Sequence, residues 1–177
     1  KNLDYLKVDS EGVKYWLAES RLVELEGKYK ILERKKGSSL VGMKYIMPYR
    51  DLEAHAKTPF KVVAWDLASE EEGTGIVHIA PGCGAEDFDL GKKEGLPAIS
   101  PLDDAGVYKN GFGEFSLKKY SEVNKAVLSD LEQRSFVYKI KPIKHRYPHC
   151  WRCGEELVFR LVDEWYIKAK EIRTQLL

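Results

Sequence analysis

The tightest constraint on how this chain can fold is the stretch Gly73-Thr74-Gly75-Ile76-Val77-His78-Ile79-Ala80-Pro81-Gly82-Cys83-Gly84-Ala85-Glu86-Asp87. Ile76, Val77 and Ile79 are β-branched and surround His78 in a short apolar run bounded by glycines, the pattern of a buried strand. Pro81 cannot donate to a ladder, and Gly82 and Gly84 permit positive φ, so the run is expected to end in a turn. Ala85 to Gly95 then places acids early, lysines late and a glycine last, the charge order that a helix dipole favours. Strand, turn and helix start would thus bring an imidazole and a carboxylate into one neighbourhood.

Asp87 is expected in the first helical turn, where a carboxylate is stabilised as an anion and can hold a cation such as an α-ammonium group. The plainer alternative is that Glu86 and Asp87 are ordinary first-turn acids and His78 a satisfied strand histidine. No nucleophile elbow, P-loop, or Cys and His pair with a third orienting group accompanies them. An Asp and a His alone suit substrate positioning.

Many short strands with few helices predict a mainly β, α+β domain: a closed or nearly closed β-barrel with helical decorations. Leu3 to Val8, Val13 to Ala18 and Tyr29 to Leu32 read as a meander ending in a turn at Lys35-Lys36-Gly37. Phe60 to Leu67 reads as a further strand, joined to the His78 strand through the acidic loop Glu70-Glu71-Glu72 as a hairpin. Ser121 is expected to cap a helix whose core stripe is Val123, Val127, Leu128 and Leu131. One boundary is expected near Pro142, dividing residues 1–141 from 142–177. With 177 residues, 44% of them hydrophobic, one good core is available, and a formal charge of +1 argues neither for nor against an RNA partner. A chain opening on Lys1 reads as a piece of a longer protein.

Cys150-Trp151-Arg152-Cys153-Gly154 reads as a zinc knuckle, two thiolates gripping one edge of a tetrahedral ion. Structural zinc needs about four ligands. Cys83 is far off in sequence and His149 adjoins Cys150, while His145 is nearer at hand, so Cys150 and Cys153 form a half-site that is partly filled or empty. Surface thiols and a redox pair are the alternatives, the last disfavoured by the strand-like Leu157-Val158-Phe159-Arg160 that follows. Lys139, Lys141, Lys144, His145, Arg146, Arg152 and Arg160, interleaved with Tyr138, Tyr147 and Trp151, form the densest basic stretch. Lys144, Arg146, Tyr147 and Arg152 are its candidate RNA contacts, against the commoner solvated face. Three cysteines with one Cys-x-x-Cys point to a reducing compartment. Without a signal pattern or a membrane-length apolar run, a cytoplasmic protein is expected.

The run from Gly73 to Asp87, followed by Gly91-Lys92-Lys93-Glu94-Gly95-Leu96-Pro97 and Ser100-Pro101-Leu102-Asp103-Asp104-Ala105-Gly106, resembles the editing domain of isoleucyl-tRNA synthetases. Arg146-Tyr147-Pro148-His149-Cys150-Trp151-Arg152-Cys153, Leu157-Val158-Phe159-Arg160 and Glu164-Trp165-Tyr166-Ile167 are similar to the segment where that insertion returns to the synthetase body. The likeness runs from about Leu3 to the C-terminus.

The resemblance implies hydrolysis of valine from mischarged isoleucine tRNA, with the tRNA 3′ end and the rest of the synthetase as partners. One methylene is worth only about 1–3 kcal/mol, and this family is the standing illustration of that limit, so a second pocket must sort by size. Asp87 would bind the α-ammonium group, while His78 would wall the side-chain pocket and orient the ester or its water. Gly73, Thr74 and Gly75 would admit close backbone approach, and Gly82 and Gly84 would set the turn. The hydrolysis needs no cofactor; ATP and magnesium belong to the parent enzyme's synthetic domain, and the second cysteine pair of the zinc ribbon lies outside these residues. A threonine-rich pocket strand is implied ahead of Asn2-Leu3-Asp4-Tyr5, so one pocket wall comes from elsewhere. The alternatives are a noncatalytic tRNA-end-binding module or a zinc-ribbon connector of a valyl- or leucyl-type synthetase.

Overall fold

The alternating start of the chain forms a sheet in the computed structural model, which describes residues 3–71, 73–144 and 146–176. Glu72 of the acidic loop and His145 of the basic stretch lie outside the described residues, as do Lys1, Asn2 and Leu177. Strand β1 (Asp4–Ser10) turns into β2 (Val13–Ala18) at Glu11 and Gly12. Both turn residues have positive φ, +53° and +86°, which matches the right-handed twist of a tight hairpin. The Asp9 carboxylate accepts the Gly12 N–H at 3.0 Å and pins the turn.

Strand β3 (Tyr29–Lys36) does not continue a meander. It pairs antiparallel with the other edge of β1, giving the order β2-β1-β3. A 3₁₀ segment over Glu19–Glu24 carries the chain across, and a bulge opens between the partners of Lys7 and Val8. The expected turn at Lys35 and Lys36 is still strand, and the chain leaves the sheet only at Gly37. One face of the sheet buries Leu6, Val8 and Leu17 beneath Tyr15, Leu22 and Leu25. The other buries Tyr5 and Ala18 with Leu40, and Trp16 packs beside them.

Two helices follow. Helix α1 (Ala85–Glu94) has Glu86 and Asp87 in its first turn and Lys92 and Lys93 in its last, and ends on a left-handed Gly95, as the sequence predicts. Helix α2 (Tyr120–Gln133) lays Val123 and Val127 onto Phe112 and Phe115 to make a second core. Ser121 lies inside α2 rather than capping it, because Lys119 takes the cap position. A short α3 (Ala169–Leu176) closes the described chain. Among the described residues, no helix is long and apolar enough to cross a membrane.

The sheet does not close into a barrel. It has three strands among the described residues, so the α+β character holds and the closed barrel does not. Phe60 to Leu67 spends its pairing locally: Val62 donates to Met43 at 2.8 Å and accepts from Gly42 at 2.8 Å, with one bridge between Lys44 and Lys61. Ile76 to Ile79 lies in no strand, and Ile76 and Val77 stay about half exposed. The expected hairpin between these runs is therefore absent. β-branching makes a segment willing to extend, but a ladder also needs a neighbouring edge, which composition does not specify.

Candidate functional site

The glycine-rich loop is stitched to the sheet at one corner. Ala18 N–H donates to the Thr74 carbonyl at 2.8 Å, and the Tyr5 hydroxyl donates to the Gly75 carbonyl at 2.8 Å. Gly75 sits at φ +74°, and a Cβ there would lie 2.6 Å from the Ala18 Cβ, so no other residue fits between loop and sheet. Neither Tyr5 nor Ala18 stood out in the sequence as a site residue. Their signal was only inward register on an alternating strand.

Beyond that corner the chain reaches the Ala80 to Cys83 turn, closed by Cys83 N–H donating to the Ala80 carbonyl at 2.8 Å. Gly82 is required by space: a Cβ would stand 1.6 Å from the Ile99 carbonyl oxygen. Gly84 is extended at φ −156°, and its missing Cβ would meet nothing closer than 3.7 Å. Positive φ, the expected reason for both glycines, applies to neither.

Asp87 reaches back from the first turn of α1, and its Oδ2 accepts the Ala80 N–H at 2.9 Å. The carboxylate thus ties helix start to turn. His78 is exposed and lies on the wall of a cavity of about 840 Å³. Gly75 and Ala80 to Cys83 share that wall, while Asp87 sits behind the turn and does not line it. The fold therefore brings His78 and Asp87 to opposite ends of one short segment, with Ala80 between them. Thr58, also on the wall, has a buried hydroxyl without a hydrogen-bond partner. Burial pushes the Cys83 thiol up, and the nearby Asp87 carboxylate pushes it further. The Cys83 residue surface is nonetheless open to solvent.

A second hollow of about 670 Å³ begins on the other side of Cys83 and is bordered by Tyr120, Lys144, Tyr147, His149 and Phe159. Two of the candidate RNA residues, Lys144 and Tyr147, meet there. Other members of the basic stretch are engaged elsewhere. Lys139 pairs with Glu26, Lys141 with Glu24, and Arg160 with Asp104 at 2.6 Å. Arg152 stacks over the Trp151 ring at 4.9 Å.

The cysteine knuckle is shaped before any metal is considered. Cys150 N–H donates to the Glu155 carbonyl at 2.8 Å, Gly154 N–H donates to the Cys150 carbonyl at 2.9 Å, and Gly154 turns at φ +75°. The backbone N–H of Cys153, then that of Arg152, then the Cys153 side chain hold the Cys150 thiol below its ordinary range. Two thiols on such a turn suit one edge of a tetrahedral ion. His149 is occupied, its Nδ1 lying 2.9 Å from the Gly154 carbonyl. No group of three or more metal-binding side chains occurs among the described residues. Leu157 to Arg160 forms no strand.

Comparison with known proteins gives 38% identity over 168 residues to the isoleucine–tRNA ligase of Pyrobaculum aerophilum, covering 92% of this chain and 17% of that protein. This chain is homologous to a segment of isoleucine–tRNA ligase. The ligase of Pyrococcus horikoshii is 35% identical over 189 aligned residues, covering 98% of this chain and 18% of its own length. Isoleucine–tRNA ligase 2 of Pseudomonas fluorescens is 35% identical over 176 residues, covering 98% and 17%. The chain therefore spans less than a fifth of the length of these curated relatives. No protein-family model matches it. Within the ligase segment, the glycine loop, the helix it feeds and the cysteine knuckle are the features with chemistry to offer.

Proposed function

We propose that this ligase segment is an editing module that hydrolyses the ester of valine misattached to isoleucine tRNA. The observation that carries the reading is the glycine loop: it holds an exposed imidazole on the wall of an apolar cavity and a carboxylate directly behind that wall. A carboxylate has about four acceptor sites and the Ala80 N–H uses one, so Asp87 has acceptors left, and an α-ammonium group would meet it at the Ala80 turn and not on the cavity wall, which Asp87 does not line. His78 orients the ester and a water, and positioning supplies most of the rate. Gly73, Thr74 and Gly75 would offer backbone to the substrate, with Gly75 the one of the three on the cavity wall.

The cavity greatly exceeds a valyl side chain, so sorting by size requires a further wall. The threonine-rich strand that the family resemblance places ahead of Leu3 would supply it. Residues 142–177 would return the chain to the synthetic body, where ATP and magnesium act. Trp165, Tyr166 and Ile167 are 103%, 79% and 82% exposed, apolar surface of the kind a larger body covers. Cys150 and Cys153 would hold one edge of a structural zinc whose other ligands lie elsewhere in the ligase. Lys144, Arg146, Tyr147 and Arg152 would face the tRNA end.

The second reading is a noncatalytic module that binds the tRNA end, and the use of Asp87 as a turn anchor favours it. The test is release of radiolabelled valine from valyl-tRNA(Ile) by the full-length ligase. His78→Ala and Asp87→Asn should each slow it about 100-fold, the scale of lost positioning, with isoleucylation intact. Wild-type rates in both variants would remove His78 and Asp87 from the hydrolysis, and a wild-type ligase that binds the tRNA but releases no valine would leave the noncatalytic reading standing.

A further inference from the structure

The face of the sheet that buries Tyr5 and Ala18 also carries, beside that buried corner, a group that neither the glycine loop nor the basic C-terminal stretch includes. Register places Lys7 opposite Trp16 on β2 and opposite Glu33 on β3, and Tyr5 opposite Ala18 and Lys35. Alternation therefore puts Tyr5, Lys7, Trp16 and Lys35 on one face. The ammonium groups of Lys7 and Lys35 lie 5.9 and 5.8 Å from the centre of the Trp16 ring. Lys14 and Lys30, both exposed, continue the same sheet surface across from Asp9.

Two ammonium groups beside one indole concentrate positive charge there, and Glu33 pairs with Lys35 at 2.8 Å. An anion would be drawn to that charge, and a flat apolar group would find the ring beside it. A nucleotide offers both, since its phosphate answers the lysines and its base stacks on the indole. The location fits as well. Tyr5 and Trp16 also line the large cavity, and the Tyr5 hydroxyl holds the Gly75 carbonyl in the loop that runs on to His78. The surface is thus continuous with the proposed hydrolytic site.

We propose that the Lys7, Trp16 and Lys35 face is a stacking platform for single-stranded RNA, which seats a nucleotide next to the one whose ester enters the cavity. This rests on the editing reading for the identity of the RNA. An acidic protein segment would satisfy the lysines and leave the indole without a stacking partner.

The test uses full-length ligase and a short fluorescein-labelled single-stranded RNA ending in CCA, with affinity measured across a salt series. In the Lys7→Gln/Lys35→Gln variant the slope of log affinity against log salt should fall by about 1.4, the share of two phosphate contacts on a single strand. The wild type's advantage should accordingly shrink roughly sevenfold between 50 and 200 mM salt. Trp16→Leu should weaken binding about tenfold, the scale of one lost stack, while Trp16→Phe keeps most of it. Because Trp16 packs beside a core cluster, the lysine pair is the primary test and circular dichroism checks the tryptophan variants.

An unchanged salt slope in the lysine variant overturns the platform, as does equal binding of a polyglutamate peptide, or wild-type ligase that fails to bind the RNA. Valine release that ignores His78 and Asp87, combined with the expected loss of RNA affinity, would sink the editing reading and leave the platform intact.

Discussion

Replacing Asp87 by alanine and by asparagine separates two tasks of one carboxylate. Its Oδ2 accepts the Ala80 N–H at 2.9 Å from the first turn of α1. Removing a hydrogen bond to a charged group costs about 1.5–3 kcal/mol. Loss of a first-turn acid costs about 0.3–1 kcal/mol more. Asparagine keeps an acceptor for the same N–H and loses only the charge, so it should cost about 1 kcal/mol. For chains of this length 1 kcal/mol is roughly 2–4 °C in Tm, which puts Asp87→Ala about 4–16 °C below wild type and Asp87→Asn about 2–4 °C below.

Thermal melts followed by circular dichroism at neutral pH measure both. A second readout is Cys83, whose thiol burial and then the Asp87 carboxylate push up. Its reaction with a disulfide reagent should shift to lower pH in both variants, because each removes the charge. If alanine and asparagine melt within a degree of each other, the carboxylate does not hold the turn, and the reasoning from the Ala80 contact fails.

The two glycines of the turn should respond oppositely. Gly82→Ala drives a Cβ into the Ile99 carbonyl, an overpacking of about 3 kcal/mol or more that limited proteolysis would reveal. Gly84→Ala meets only ordinary contacts and should cost about 1 kcal/mol or less, the difference between two weak caps. Tyr49 donates to Asp130 at 2.6 Å, and burial first, then that bond, pushes its phenol up to about 12. The folded chain holds this proton more tightly than the unfolded chain, so the associated stability is present below about pH 10 and lost as pH rises towards 12. Tyr5 and Tyr108 are raised too and add with the same sign. Urea melts of Tyr49→Phe should therefore lose less stability than wild type between pH 10 and 12; an identical loss would remove Tyr49 as a cause.

Helix α1 was legible because its signals are local. Acids, lysines and a terminal glycine act within one or two turns of the backbone that carries them, and the structure repeats that order. The three strands were legible for the same reason, since alternation is a property of the segment itself. What misled was the step from segment to partner. Ile76 to Ile79 looked like a buried strand and is an irregular run in which Ile76 and Val77 stay about half exposed. Phe60 to Leu67 looked like its hairpin mate and pairs instead with residues 42–45. Gly82 was expected for its φ and is needed for its lack of a side chain against Ile99. That contact joins residues 17 apart and leaves no mark in either neighbourhood.

By itself the sequence determined where helices α1 and α2 and the three strands would lie, and where the Cys150 to Cys153 turn would fall. Those are consequences of backbone sterics, side-chain chemistry and neighbours a few positions away. The tertiary structure alone decided that β3 returns to β1, that the sheet stays open, and that His78 reaches a cavity while Asp87 braces the wall behind it. Each of these depends on which surfaces meet across long stretches of chain, and a meeting of surfaces belongs to the packed molecule rather than to any one segment.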